Sequence, residues 1–114
     1  MQILDTMPAV SQTEPPILVL DGEIDLHESP NVRESLRPLI EKKLPRIYVD
    51  LTNVTYVDSS GLAILIEAMQ RIGAYGGKFG LIGIRPAVQT VLEIARLDQV
   101  FRVYPDRAAA LSSR

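Results

Sequence analysis

The sequence predicts a single α/β domain. Three observations lead there: short apolar runs bounded by turn residues, amphipathic stretches of helical period between them, and a length of 114 residues, enough for one modest core and too little for two. Strands alternating with helices across short connections favour right-handed crossovers onto one sheet. The composition, 46% hydrophobic and 23% charged, is that of an ordinary globular chain rather than a disordered one.

Residues 1–16 read as an irregular N-terminal segment. Pro8, Pro15 and Pro16 interrupt regular structure and Gln12-Thr13-Glu14 is polar, leaving room for a short edge strand at Gln2–Leu4. Ile17-Leu18-Val19-Leu20 is a continuous apolar run that suits a buried strand, and Asp21-Gly22 supplies turn chemistry after it. Ser29-Pro30 is a helix start, with a capping hydroxyl and then proline in the first turn. Val32, Leu36, Leu39 and Ile40 share one face of that helix. Pro38 lies inside it and removes the bond to the Glu34 carbonyl, which predicts a kinked or loosened last turn.

Pro45 closes the segment, and Ile47, Val49 and Leu51 alternate as strand residues. A second helix is expected from about Ser60. Its residues Leu62, Leu65, Ile66, Met69 and Ile72 form one stripe at 100° per residue, the expected core face. Ile64 then falls opposite, near Glu67, Arg71 and Tyr75, with Ala63 and Ala68 toward its sides. Gly73, Gly76 and Gly77 are expected to end the helix. Phe79–Ile82 reads as a strand, and Pro86 opens a helix carrying Val88, Val91, Leu92 and Ala95. Val100–Val103 reads as a last strand, and Pro105-Asp106 starts a short helix through Leu111.

Several function classes drop out on composition. Twelve basic and 14 acidic side chains are interspersed for a net charge of -2, with no basic cluster longer than Lys42-Lys43, so direct nucleic-acid binding is not expected. The absence of cysteine excludes disulfides, thiol catalysis and Cys-ligated zinc. Met1–Asp5 shows no basic stretch followed by an apolar core, and no run is long enough to cross a membrane; the expectation is a cytoplasmic protein. His27, the only histidine, reads as solvated or capping, because Gly-x-Ser-x-Gly is absent and no triad can be composed around Ser59 or Ser60. Gly76-Gly77-Lys78 fails the phosphate-loop pattern at Ile72 and Phe79 and reads as a turn. Asp21, Glu23, Asp25 and Glu28 form an acidic cluster through which no calcium loop can be drawn, so no metal site is assigned.

The most informative stretch is Asp58-Ser59-Ser60-Gly61, between the strand and the second helix. Small hydroxylic residues there satisfy orphan backbone N–H groups, and the same helix end suits a phosphate. Together with Leu20-Asp21-Gly22-Glu23-Ile24-Asp25 upstream, this stretch resembles the STAS family, the sulphate-transporter and anti-sigma-factor-antagonist domains. The similarity covers roughly residues 17–111 and is nearest to bacterial anti-anti-sigma factors.

The resemblance implies a single STAS domain, a mixed sheet of about four to five strands with about four helices, and a binding protein without cofactor rather than an enzyme. Unphosphorylated, it would bind an anti-sigma factor that is also a serine kinase and so free a sigma factor. Phosphorylation, which maps onto Ser59, would end that binding, and a serine phosphatase would restore it. Asp25, Asp58, Ser60 and Gly61 are the expected neighbours of the switch. From the helical angles, Ala63, Ile64 and Ala68 are the expected partner contacts. Two other readings stay open: a scaffold subunit of a stress-signalling assembly or lipid-transport system, and a small hydrolase using Ser59.

Overall fold

The computed structural model describes residues 15–113. Four strands and four helices alternate: β1 Ile17–Ile24, α1 Ser29–Glu41, β2 Arg46–Val57, α2 Ser59–Ala74, β3 Lys78–Ile82, α3 Pro86–Ile94, β4 Arg102–Tyr104 and α4 Arg107–Ser112. The sheet has the sequential order β1-β2-β3-β4, and all three pairings are parallel. The α/β expectation holds, and the antiparallel pairing that a mixed sheet implies is not found among the described residues. The edge strand expected at Gln2–Leu4 lies outside them.

Alternation along the strands divides the molecule into two layers. Ile47, Val49, Leu51, Phe79 and Leu81 face α1, α2 and α3 in the main core. Tyr48 and Ile82 face the other way and bury Ala110 of α4, with Ile17 and Tyr104 at the margin. Both faces of the first half of β2 are therefore covered, and Ile47–Leu51 is buried without interruption. Arg46 locks the second layer: its guanidinium donates to Tyr48 Oη and to the carbonyls of Ala110, Leu111 and Ser113 at the end of α4.

Two strands run longer than the sequence predicts. β1 continues through Asp21-Gly22 to Ile24, so this dipeptide is an irregularity within a strand and not a turn; Gly22 takes a φ of 72° there. β2 continues through Thr52-Asn53 to Val57 because β1 pairs with it along that length. Between Val19 and Asp21, and again between Gly22 and Glu23, β2 advances one residue further than β1. These bulges replace simple alternation, and the next buried positions of β2 are Val54 and Val57.

The helices follow the sequence more closely. Val32, Leu36 and Ile40 of α1 are buried, with Leu39 packed beside them, and the helix runs past Pro38 to Glu41. α2 passes through Gly73 to Ala74, and of the three glycines expected to end it only Gly76 is left-handed, at φ 85°. Val88 and Leu92 bury the inner face of α3, while Ala95 is exposed. β4 is shorter and later than expected: Val100 and Phe101 precede it, and Phe101 packs edge-on against Phe79 at 6.3 Å. Asp106 caps α4 by accepting the Ala109 N–H at 2.8 Å.

Candidate functional site

The ends of β1 and β2 and the starts of α1 and α2 meet at one point. The Ile24 carbonyl accepts the Asp58 N–H at 3.2 Å, fixing the start of α2 against the end of β1. Gly61 permits this approach: a Cβ there would stand 2.6 Å from the Ile24 oxygen and 2.8 Å from Val57 Cγ1. The residue that caps α2 is Asp58, where the sequence suggested the serines. Its extended backbone (φ -94°, ψ -173°) turns one carboxylate oxygen onto the Ser60 and Gly61 N–H groups at 2.9 and 3.1 Å.

Asp58 Oδ1 also accepts the Ser60 hydroxyl at 2.6 Å. That hydrogen bond is the leading reason why the carboxyl titrates below its usual value; the Gly61 amide adds to it, partial desolvation opposes it, and the Ser60 and Leu26 amides contribute further. The two serines are thereby distinguished. Ser60 is half-buried, and its Oγ lies 3.0 Å from Ser29 Oγ. Ser59 is exposed at the first helical position, and no hydrogen bond among the described residues engages its hydroxyl.

Across from this cap, Asp25 organises the turn into α1. Its carbonyl accepts the Glu28 and Ser29 N–H groups at 3.1 and 2.8 Å, and its carboxylate accepts the Glu28 N–H at 3.0 Å. Ser29 was expected to cap α1. Instead it is the first helical residue and buried, and its hydroxyl donates to the Asp25 carbonyl at 2.7 Å. Glu28 holds the cap position, but its carboxylate accepts the Asn31 side-chain amide rather than a backbone N–H of the helix. Of the expected switch neighbours, Asp25, Asp58, Ser60 and Gly61 all meet here, although the turn containing Asp25 is joined to α2 through Ser29 rather than by its own carboxylate.

The expected partner contacts are only partly accessible. Ala63 is exposed, but Ile64 and Ala68 are 5% and 2% exposed. The buried arc of α2 is centred on Leu65, Ala68 and Ile72, while Ile66 and Met69 sit at its margin. The cause is α1, which lies alongside α2 on the same sheet face and places Leu36 and Ile40 against Ile64 and Ala68. The Arg33–Glu67 ion pair, at 3.0 Å, spans the solvent side of that seam.

The sequence reading missed a second polar cluster, under α4. Asp50 is buried; it accepts the Thr52 N–H and hydroxyl at 2.9 and 2.6 Å and the Arg107 guanidinium at 3.0 Å. Burial pushes its pKa up, but the Thr52 bonds and Arg107 outweigh this and hold it below the usual value. His27 is exposed, and among the described residues no three acidic or histidine side chains are placed to hold a metal ion. No helix among those residues is long and apolar enough to cross a membrane.

A sequential parallel sheet whose first two βα junctions meet through Asp58, Ser60 and Ser29 defines a small parallel α/β domain. The STAS domain profile matches residues 6–110, and the chain belongs to that family. It is similar to the anti-sigma F factor antagonist of Paenibacillus polymyxa, with 29% identity over 84% of this chain and 83% of that protein. The anti-sigma-B factor antagonist of Staphylococcus aureus is 28% identical over 72% of this chain and 76% of its own length. Among solved structures, an anti-sigma factor antagonist from Mycobacterium paratuberculosis superposes with a TM-score of 0.76 at 28% identity, covering 84% of this chain and 81% of that one.

Proposed function

We propose that this chain is an anti-sigma factor antagonist whose binding is switched at Ser59. In its unphosphorylated form it holds an anti-sigma factor that is also a serine kinase, which frees the sigma factor. Phosphate on Ser59 dissolves the complex, and a serine phosphatase resets it. The names of its relatives support the general role. The observation that carries the switch is the difference between the two serines: Ser59 offers an exposed hydroxyl that no hydrogen bond among the described residues engages, whereas Ser60 donates its one hydroxyl proton to Asp58 and lies against Ser29.

Phosphorylation adds about -1.5 to -2 charges at neutral pH. Ser59 points away from the core, so the fold accommodates the group. Within a complex the same group must lose its water, and it stands beside the ionised Asp58. The kinase brings the nucleotide site, so this chain acts by binding alone. Phosphopeptide mapping of the protein isolated from its native cell tests the assignment. Phosphate is expected on Ser59 and absent from the Ser59→Ala variant; modification of Ser60 in its place would overturn the reading.

A further inference from the structure

Buried Ile64 leaves the switch face without its expected apolar anchor, and another residue supplies one. Leu26 is 75% exposed, among the most exposed large apolar side chains of the described residues. It stands on the turn that Asp25 fixes through four hydrogen bonds, and its own amide contributes to the field on Asp58. Beside it opens a groove of about 230 Å³ walled by Pro30, Ser60 and Ala63, with Ser29 and Ile64 at its floor.

We propose that Leu26 and this groove form the specificity contact for the anti-sigma factor, Leu26 entering an apolar pocket of that partner while an apolar side chain of the partner fills the groove. This inference rests on the switch reading of Ser59. A protein that phosphorylates Ser59 must touch its hydroxyl, and a specific interface covers about 800 Å² on each side. A footprint of that size around Ser59 takes in the groove, whose wall includes the adjacent Ser60. A few fully desolvated side chains near the centre of such footprints carry most of the affinity, and a turn already locked by hydrogen bonds loses little freedom on binding.

Charge complementarity describes the partner further. Asp25 and Glu28 adjoin the lining residues Leu26 and Ser29 along the chain, Asp58 accepts the hydroxyl of Ser60 in the wall, and Arg33, the one cation lining the groove, is tied to Glu67. The partner's rim is therefore basic. Rim pairs in solvent act on association rate more than on affinity, so they do not offset the cost of desolvating a phosphate at the centre.

The test titrates the purified anti-sigma factor of the native cell against the full chain and its Leu26→Ala, Ala63→Arg and Ser59→Glu variants, with urea unfolding run on each. Leu26→Ala and Ala63→Arg are expected to unfold at the wild-type midpoint and to bind about tenfold or more weakly. If both bind like the wild type while Ser59→Glu loses affinity, the Leu26 surface is wrong and the switch reading stands. If Ser59→Glu also binds like the wild type, the switch reading falls and the inference falls with it.

Discussion

Replacing Gly61 by alanine should destabilise the domain, although Gly61 is a helical residue of ordinary φ. Its new Cβ would stand 2.6 Å from the Ile24 oxygen, 2.8 Å from Val57 Cγ1 and 3.0 Å from Ile24 Cγ2. A carbon–oxygen contact settles near about 3.3 Å, so the oxygen must give by about 0.7 Å. It cannot retreat alone, because it belongs to the last residue of β1 and holds the Asp58 N–H. Overpacking of this kind costs about 1–3 kcal/mol, and the alanine's helix preference returns at most about 1 kcal/mol. A clash against backbone belongs to the upper part of that range, which leaves a net loss of about 1–2 kcal/mol.

Gly73 in the same helix is the control. Nothing lies within 4 Å of its Cβ position, and its φ is not left-handed. Gly73→Ala should gain about 0.5–1 kcal/mol. Urea unfolding of the full chain measures both, read as a change of midpoint at constant m. In Gly61→Ala the Ser60 and Gly61-site amides should also exchange faster, since their bonds to Asp58 depend on that approach. A Gly61→Ala protein as stable as the wild type, or both variants shifting in one direction, would refute the close-approach argument.

Ile64→Glu should cost about 3 kcal/mol or more, since it places a charge between α1 and α2, and a melt within error of the wild type would return Ile64 to the surface. Ser59→Ala should leave stability within about 0.5 kcal/mol because Asp58 is the cap, whereas Ser60→Ala should lose about 1 kcal/mol with its hydroxyl bond to Asp58; equal costs in denaturant titrations would contradict this division. Asp50 and Asp58 both titrate below the ordinary carboxyl value of 3.8, so the stability they contribute is complete above that pH and is lost as pH falls through their folded-state values. Melting temperature should therefore hold down to about pH 4 and then drop, and Asp50→Asn should flatten that drop, which melts across an acid series would show.

Much of the fold was legible because local chemistry dictated it. Pro86 opens α3 and Pro105-Asp106 introduces α4, where the Asp106 side chain performs the cap that the sequence suggests. What sequence left unread depended on neighbours. The helical angles of α2 are fixed by geometry, but how many sides of it are covered is not: the sheet buries Leu65 and Ile72, and α1 extends the buried arc to Ile64. Thr52-Asn53 interrupts the apolar run of β2 and hides a strand that only pairing with β1 reveals. Asp50 stands in the sequence between Val49 and Leu51, but its partner Arg107 is 57 residues away, and no local signal connects them. Asp58-Ser59-Ser60-Gly61 announced a helix start, yet a carboxylate and two hydroxyls compete for the same cap, and the backbone angles of Asp58 decide it.

That decision alters how a charge on Ser59 is received. An anion at the start of a helix is ordinarily stabilised by free N–H groups. Here the Ser60 and Gly61 N–H groups already serve Asp58, and the Leu62 N–H serves the Asp58 carbonyl. A second anion on Ser59 keeps the attraction of the helix dipole but finds those donors occupied and a carboxylate next to it. The domain therefore displays the charge toward solvent, where a partner has to desolvate it. The argument predicts a sign of coupling that does not depend on any partner. Asp58→Asn retains an amide oxygen able to cap while removing the charge. The effect of Ser59→Glu on unfolding free energy should be more favourable in the Asp58→Asn background than in the wild type, and the difference should shrink at high salt. Equal effects in both backgrounds at low salt would mean that the two anions do not contend for one helix end, and the electrostatic part of the switch would have to lie wholly in the partner.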